Sequence, residues 1–394
     1  MIAGVSSGDA LALDALELAS GLPFGSVDDA PPLPVVGGSD VEAALESGIR
    51  RGLMRPPCLV PFSGGRDSSL ILALAVGVAR RDGLHPPIPA TLVFPGVRSA
   101  EESAWQRLVV RHLGLRDWER IEIAEELDLL GDIAVAGLKA HGLLWPCNAH
   151  MLVPIFERAH GGSVITGVDG DGLFDGWRWA RAQAVLHARV RPRVRDVFGV
   201  GLALAPAVVR RWRLAREFPA WLEWLRAPAR SRLHQQLSAD AASEPWRWDR
   251  RLHWYWRRRY LRLCTHSLNL LASDRHVEIH YPLLDPGFLS ALARRGGIAG
   301  YSDRTAALSK LFADLLPAQL LQRRTKGEFT GAVWCSRSRE FAQGWTGRGL
   351  DAELVDPAQL QAAWLVESAP GPAATPLQAA WLAGYQAAAV RDGV

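Results

Sequence analysis

The stretch Ser63-Gly64-Gly65-Arg66-Asp67-Ser68-Ser69 constrains this chain more than any other. It follows the apolar run Cys58-Leu59-Val60-Pro61-Phe62 and leads into Leu70-Ile71-Leu72-Ala73-Leu74-Ala75. An apolar run of this length reads as a buried strand, and the apolar residues beyond the loop read as a helix. Two glycines let the backbone turn with its N–H groups pointing inward, and Ser68 is placed to cap a helix beginning near Ser69. Backbone donors and a positive helix end together make an anion site suited to phosphate. No GK[ST] follows the glycines, so this is not the Walker loop.

Along the chain the same strand-then-helix alternation recurs. Cys58 to Phe62, Thr91 to Phe94, Ile121 to Ile123 and Val164 to Thr166 are short apolar runs separated by helical stretches. That pattern predicts right-handed crossovers and a parallel α/β sheet, with ligands bound at the carboxyl ends of the strands. From Trp179 to Cys264 the residues are arginine, tryptophan and leucine at helical spacing, interrupted by Pro192, Pro206, Pro219, Pro228 and Pro245, which reads as a large helical elaboration. Helical patterns are also expected over Val41 to Arg51 and Leu377 to Ala389. The expected organisation is an amino-terminal cover over 1–55 and a synthetase-like domain over 56–394. Within that domain the sheet core spans about 56–177 and the helical part about 178–394.

Composition removes several classes. No basic flank with an apolar core and cleavage site opens the chain, and no apolar run of about 18 residues occurs. The four cysteines, Cys58, Cys147, Cys264 and Cys335, form no CxxC pair, which fits a reducing cytoplasm better than a disulfide framework. The net charge is +4, and nearly all the basic residues are arginine, with lysine only at 139, 310 and 326.

Ser-Gly-Gly-x-Asp-Ser after a strand resembles the signature of the PP-loop ATP pyrophosphatases, which split ATP into AMP and pyrophosphate. Further motifs resemble those of the asparagine synthetase family, and they fall in the same order. "TGVDGDGLFDGW" (166–177) is similar to that family's second loop, "EIHYPLLD" (278–285) to its ExRxPFLD, and "RRTKGEF" (323–329) to its R-x-K-x-x-F. "FPGVRSAEES", ending at Ser103, is placed like its acidic segment after the second strand. The resemblance implies a PP-loop core and ATP bound by Phe62, Ser63, Gly64, Gly65, Asp67, Ser68, Ser69, Phe94, Thr166 and Gly167. It also implies Mg²⁺ held by Asp67 and Asp171, with Lys326 facing the reacting phosphate and acyl centre.

The implied chemistry is amide formation. A carboxylate has no good leaving group until its oxygen attacks the α-phosphate of ATP, which yields an acyl-adenylate and pyrophosphate. The departing charge calls for Mg²⁺ and backbone donors. A lysine at 326 offers a compact charge that arginine does not reproduce.

Departures from the family pattern are equally informative. Val168 stands where the second loop has glutamate and Gly172 where another follows the aspartate, so the base that accepts the amine's proton must come from elsewhere or the amine must arrive neutral. Glu278 is the expected base and Asp169 the second candidate. His280 replaces the arginine of ExRxP, and His276, Glu278 and His280 would share one face of a strand, a spacing that can hold zinc. Ile2 stands where the family's glutaminase cysteine follows the initiator methionine, and about 55 residues precede the synthetase region, so no glutamine hydrolysis by that route is expected. Nitrogen is then expected from free ammonia, from a partner protein's product, or from an amine of the small-molecule or peptide substrate, as in β-lactam synthetases and lasso-peptide cyclases.

Two other readings stand beside this one. The segment "WRWDRRLHWYWRRRYLRL" (246–263) interleaves aromatics with arginines, as an RNA-binding surface of a tRNA-modifying PP-loop enzyme would. Leu252, Trp256, Tyr260 and Leu263 follow helical spacing, which favours a scaffold and argues against nucleic acid as a partner. The altered second loop also fits a degenerate nucleotide-binding homologue that serves as a partner subunit. Arg66 occupies the signature's one open position, without an assigned role.

Overall fold

The computed structural model describes residues 11–27, 30–35, 37–38, 40–216, 222–323, 325, 327–366 and 369–392. Five parallel strands form one sheet: β1 (Cys58–Pro61), β2 (Ile88–Val93), β3 (Glu119–Glu122), β4 (Ser163–Ile165) and β5 (Glu278–His280). Their order is β3-β2-β1-β4-β5. The chain therefore winds one way from β1 to β3, then turns back to place β4 on the other side of β1. Such a reversal opens a crevice at the carboxyl ends of β1 and β4, where α/β sheets bind ligands.

The four expected strands are all present, each within a few residues of the apolar run that signals it. β1 and β4 are covered on both faces, so nearly every residue in them is apolar and buried. The fifth strand comes from well beyond residue 177, so the sheet is not confined to 56–177. Three residues between His276 and Pro282 are too few to announce a strand inside a helical region. Its register is nonetheless fixed, with Ser163 opposite Glu278 and Ile165 opposite His280.

Helix α1 (Val41–Leu53) buries Val41, Leu45, Ile49 and Leu53 in the largest core, against α2 (Arg66–Asp82) and the β4–β5 side of the sheet. This part of the expected amino-terminal cover thus belongs to the central core. Helix α2 begins three residues earlier than expected. Gly65 is its N-cap residue, with extended backbone, and Ser68 lies inside the first turn. Instead of capping, the Ser68 hydroxyl donates to the Gly65 carbonyl (3.2 Å) and accepts from the Ser63 N–H (3.3 Å), which folds the loop back onto the helix.

Among its described residues the arginine- and tryptophan-rich region is a series of helices joined by short loops, and the 246–263 segment contributes to α7 (Trp248–Trp256) and α8 (Arg259–Ser273). Trp248, Leu252, Tyr255 and Leu263 are buried, and Arg251 is 1% exposed. The segment is scaffold. Arg251 donates to the carbonyls of Gly172 and Leu173, each at 2.6 Å, which caps the short helix that carries the second loop. The last helix runs over Ala374–Asp392. No helix among the described residues is long and apolar enough to cross a membrane. The four cysteines are free thiols.

Candidate active site

The loop after β1 and the loop after β4 meet at the switch point, over a cavity of about 720 Å³. Gly64 turns the first loop with φ +79°, and a side chain there would press on Gln106, whose Cγ would lie 3.0 Å from the added Cβ. Gln106 in turn donates to the Ser63 carbonyl at 3.2 Å. The N–H groups of Arg66, Asp67 and Ser68, in the first turn of α2, have no acceptor within the helix and give the loop its anion-binding character.

The second loop passes so close to Asp67 that a Cβ at two of its positions would crowd the first loop. A Cβ on Gly167 would stand 3.3 Å from the Ser68 nitrogen, and one on Gly170 would stand 2.3 Å from Asp67 Cγ. Asp169 sits between them with φ +63°, an uncommon conformation for a residue with a side chain. Its carboxylate accepts from both the Tyr255 and Tyr260 hydroxyls, the latter at 3.0 Å, and so anchors the loop to α7 and α8. Burial pushes its carboxyl up, with the two tyrosine bonds pulling the other way.

Asp171 follows in the short helix α5 (Gly170–Phe174), and Asp175 ends it. These two and Asp67 surround Arg304, the first residue of α9 (Arg304–Phe312). The Arg304 guanidinium is bonded to Asp67 and to Asp171 and lies 3.5 Å from Asp175 Oδ2, while its backbone N–H donates to Asp175 Oδ1 at 3.2 Å. Burial opposes the charge on Arg304, but the three carboxylates outweigh it and hold the guanidinium above its ordinary value. Burial pushes the Asp67 carboxyl up and Arg304 pulls it down. Arg66 reaches across to the same helix, donating to Thr305 Oγ1 at 2.9 Å, with Asp175 at 4.0 Å.

On the opposite rim, Arg323 ties three motifs together. It pairs with Glu102 of the segment after β2 and donates to the Gly64 carbonyl at 3.0 Å, with its guanidinium 4.9 Å from the Trp105 ring. Both Arg323 and Glu102 are buried. Phe94 and Phe329 meet edge to face at 5.8 Å. The remaining wall is apolar, formed by Met151, Leu152, Ile155, Val168, Cys264 and Leu268. Burial pushes the Cys264 thiol up to about 12.

Phe62, Ser63, Gly65, Asp67, Ser68, Phe94, Thr166, Gly167 and Asp171 line the cavity. Gly64 stands behind the loop, and Ser69 is fully buried beneath it. Lys326 lies outside the described residues, although Thr325 and Gly327 on either side of it line the cavity.

Glu278 is not in the site. Its register opposite Ser163 puts it at the amino edge of the sheet, the end away from both loops. There it is half exposed and accepts from Arg55 at 3.2 Å, with the His280 ring beside it. The zinc reading fails on the same ground. His276 lies before the strand with φ +56°, its ring against His160, and no group of three or more His, Cys, Asp or Glu side chains converges among the described residues. Sequence reasoning did not single out Arg304 or the Glu102–Arg323 pair. The RRTKGEF motif pointed to the neighbourhood of Arg323, whereas the sequence around Arg304 carries no signal beyond the helix cap at Asp303.

Mg²⁺ typically keeps several waters and takes one or two carboxylates together with substrate phosphates, rather than a full protein cage. Asp67 and Asp171 fit that role. Asp67 Oδ1 is a buried oxygen with no hydrogen-bond partner among the described residues, an acceptor suited to a hard cation.

A parallel sheet whose switch point holds an SGGxDS loop against a second, aspartate-bearing loop defines a PP-loop nucleotide-binding domain with a helical elaboration. The chain belongs to the asparagine synthase family, whose model matches residues 40–387, and ATP-dependent amidation is the activity of that family's synthetase domain. No single curated protein matches the chain closely enough to narrow the family further.

Proposed function

We propose that the protein joins a carboxylate to an amine by way of an acyl-adenylate, releasing pyrophosphate. One observation carries this reading: the α2 amino terminus, with its first-turn N–H groups, and the two carboxylates Asp67 and Asp171 converge on one cavity. The N–H groups of Arg66, Asp67 and Ser68 bind the phosphates. Asp67 and Asp171 hold magnesium, which when bound neutralises the charge that builds on the leaving pyrophosphate. Phe62, Phe94 and Thr166 border the space for the nucleoside. Lys326, flanked by two cavity residues, supplies a positive charge to the reacting phosphate and acyl oxygens.

The amine attacks the acyl carbon in its neutral form, the acyl–oxygen bond to AMP breaks, and the proton released from nitrogen passes to the departing phosphate or to water. Val168 offers no base, the Asp169 carboxylate is occupied by two tyrosine hydroxyls, and Glu278 lies at the far edge of the sheet. The apolar wall around Leu268 disfavours a charged ammonium there, which helps keep the amine unprotonated. The carboxylate and amine belong to a small molecule or a peptide, and ammonia from a partner protein is the alternative nitrogen source. The scaffold role of 246–263 removes the main support for an RNA substrate.

The test is release of AMP and pyrophosphate from ATP across a panel of carboxylates and amines. Turnover should require a matching acid and vanish in Asp67→Ala. The occupation of Asp67 and Asp171 by Arg304 favours a second reading, a nucleotide-binding homologue without turnover. It predicts ATP binding with no AMP formed for any acid.

A further inference from the structure

Arg304 occupies the two carboxylates that the proposed function gives to magnesium. Its bonds to Asp67 and Asp171 run through its two terminal nitrogens. The guanidinium nitrogen nearest the chain, Nε, is buried without an acceptor among the described residues, as Asp67 Oδ1 is buried without a donor. The Arg304 side chain is 9% exposed. A buried ion pair that leaves one donor and one acceptor unmade has not satisfied its own polar groups. A hard cation would satisfy the carboxylate oxygen, and a phosphate oxygen would satisfy the guanidinium.

The local charge points the same way. Asp67, Asp171 and Asp175 face Arg66 and Arg304, so the cluster of these five residues carries one net negative charge. A divalent cation entering alone would meet a guanidinium already holding the same two carboxylates, and the two positive charges would repel at close range. Phosphates arriving with the cation remove that conflict, because they offer Arg304 new acceptors. The helix end fixes the Arg304 backbone through Asp175, and a long side chain pivoting from a fixed backbone can change partners.

We infer that Arg304 is a displaceable counter-ion. It holds Asp67 and Asp171 together in the nucleotide-free protein, competes with the divalent cation for them, and turns onto the phosphates when cation and nucleotide enter together. It is a positioning residue that couples cation uptake to phosphate binding, which restrains the free protein from loading metal without nucleotide. This inference rests on the metal assignment made under the proposed function.

Manganese uptake read by electron paramagnetic resonance tests it without reference to activity. The full-length wild type, Arg304→Gln and Arg304→Lys are titrated with Mn²⁺ alone and with Mn²⁺ plus pyrophosphate. In the absence of pyrophosphate, Arg304→Gln should bind Mn²⁺ about tenfold more tightly than wild type, because removing a buried partner frees its carboxylates. Arg304→Lys, which cannot span both carboxylates, should fall between. Pyrophosphate should strengthen Mn²⁺ uptake more in wild type than in Arg304→Gln.

Equal Mn²⁺ affinity in wild type and Arg304→Gln would overturn the inference and leave the metal assignment standing. If Arg304→Gln does not fold, Arg304→Lys decides the matter, and affinity equal to wild type overturns the inference. If neither wild type nor a folded variant takes up Mn²⁺ even with pyrophosphate, the metal assignment falls and the inference falls with it.

Discussion

Gly170→Ala offers a sharp test of the site geometry, because helix propensity and site packing push in opposite directions. Alanine in place of glycine within a helix ordinarily stabilises by about 1 kcal/mol. At Gly170 the new Cβ would lie 2.3 Å from Asp67 Cγ and 2.5 Å from its Oδ2, where ordinary contact begins at 3.4 Å. Asp67 must therefore move by about 1 Å, and it is bonded to Arg304 and enclosed by the second loop. The strained bond to Arg304 lowers stability, and a carboxylate moved off the position that would hold magnesium loses a charge-assisted contact of about 1.5–3 kcal/mol, which corresponds to about tenfold to hundredfold in binding. Propensity offsets only part of the displacement in overall stability, and only the displacement acts on the site. The variant should therefore lose no more than about 2 kcal/mol in urea denaturation while its Mg·ATP affinity, measured by calorimetry, falls at least about tenfold. Gly77→Ala is the control: it sits in α2 with nothing within 4 Å of the new Cβ, so it should stabilise by up to about 1 kcal/mol and leave binding intact. Unchanged nucleotide affinity in Gly170→Ala would refute the close approach of the two loops.

Three further outcomes follow from the same geometry. Arg323→Met leaves the buried Glu102 carboxylate uncompensated and should cost about 3–5 kcal/mol in urea denaturation, while adding Glu102→Gln should recover part of the loss. A double variant no more stable than Arg323→Met would show that the pair is not the source of the effect. Glu278→Gln, remote from both loops, should keep kcat within about twofold of wild type, since surface changes away from such features are small. A loss of several hundredfold would return Glu278 to the reaction. His150 lies in the turn that supplies the cavity's Met151 wall, with its Nε2 2.9 Å from the Leu127 carbonyl. Burial pushes its pKa below the ordinary 6.5, so the unfolded chain takes up a proton that the folded one resists. Its contribution is intact above pH 6.5 and is lost as pH falls below it. His150→Gln should show a smaller drop in urea midpoint between neutral and mildly acidic pH, and an equal drop would refute the assignment.

Much of the fold was legible because buried parallel strands are written as short apolar runs, and the two loops because the first turns at Gly64 with φ +79° and the second brings Gly167 and Gly170 against Asp67. The order of motifs correctly brought together loops that are far apart in sequence. It could not say at which end of a strand a residue lies. Glu278 matched a motif, yet the register of β5 against β4 places it at the amino edge, and only backbone pairing reveals that. The start of α2 was misjudged because Ser68 is a good cap in isolation, while Gly65 already has the extended backbone of a cap residue. Arg304 was invisible for another reason. In a chain rich in arginine, its burial among three aspartates is a property of packing that no local pattern signals. Arg66 acquires a place by the same route, through Thr305 on a helix far away in sequence.

The central claim is that a carboxylate oxygen becomes bonded to the α-phosphate. Once a substrate acid supports turnover, that acid is labelled with ¹⁸O in its carboxyl group and the products are read by mass spectrometry. The adenylate route predicts that AMP acquires one labelled oxygen and that the pyrophosphate acquires none. Label in inorganic phosphate, with ADP as the other product, would show attack at the γ-phosphate and contradict the account.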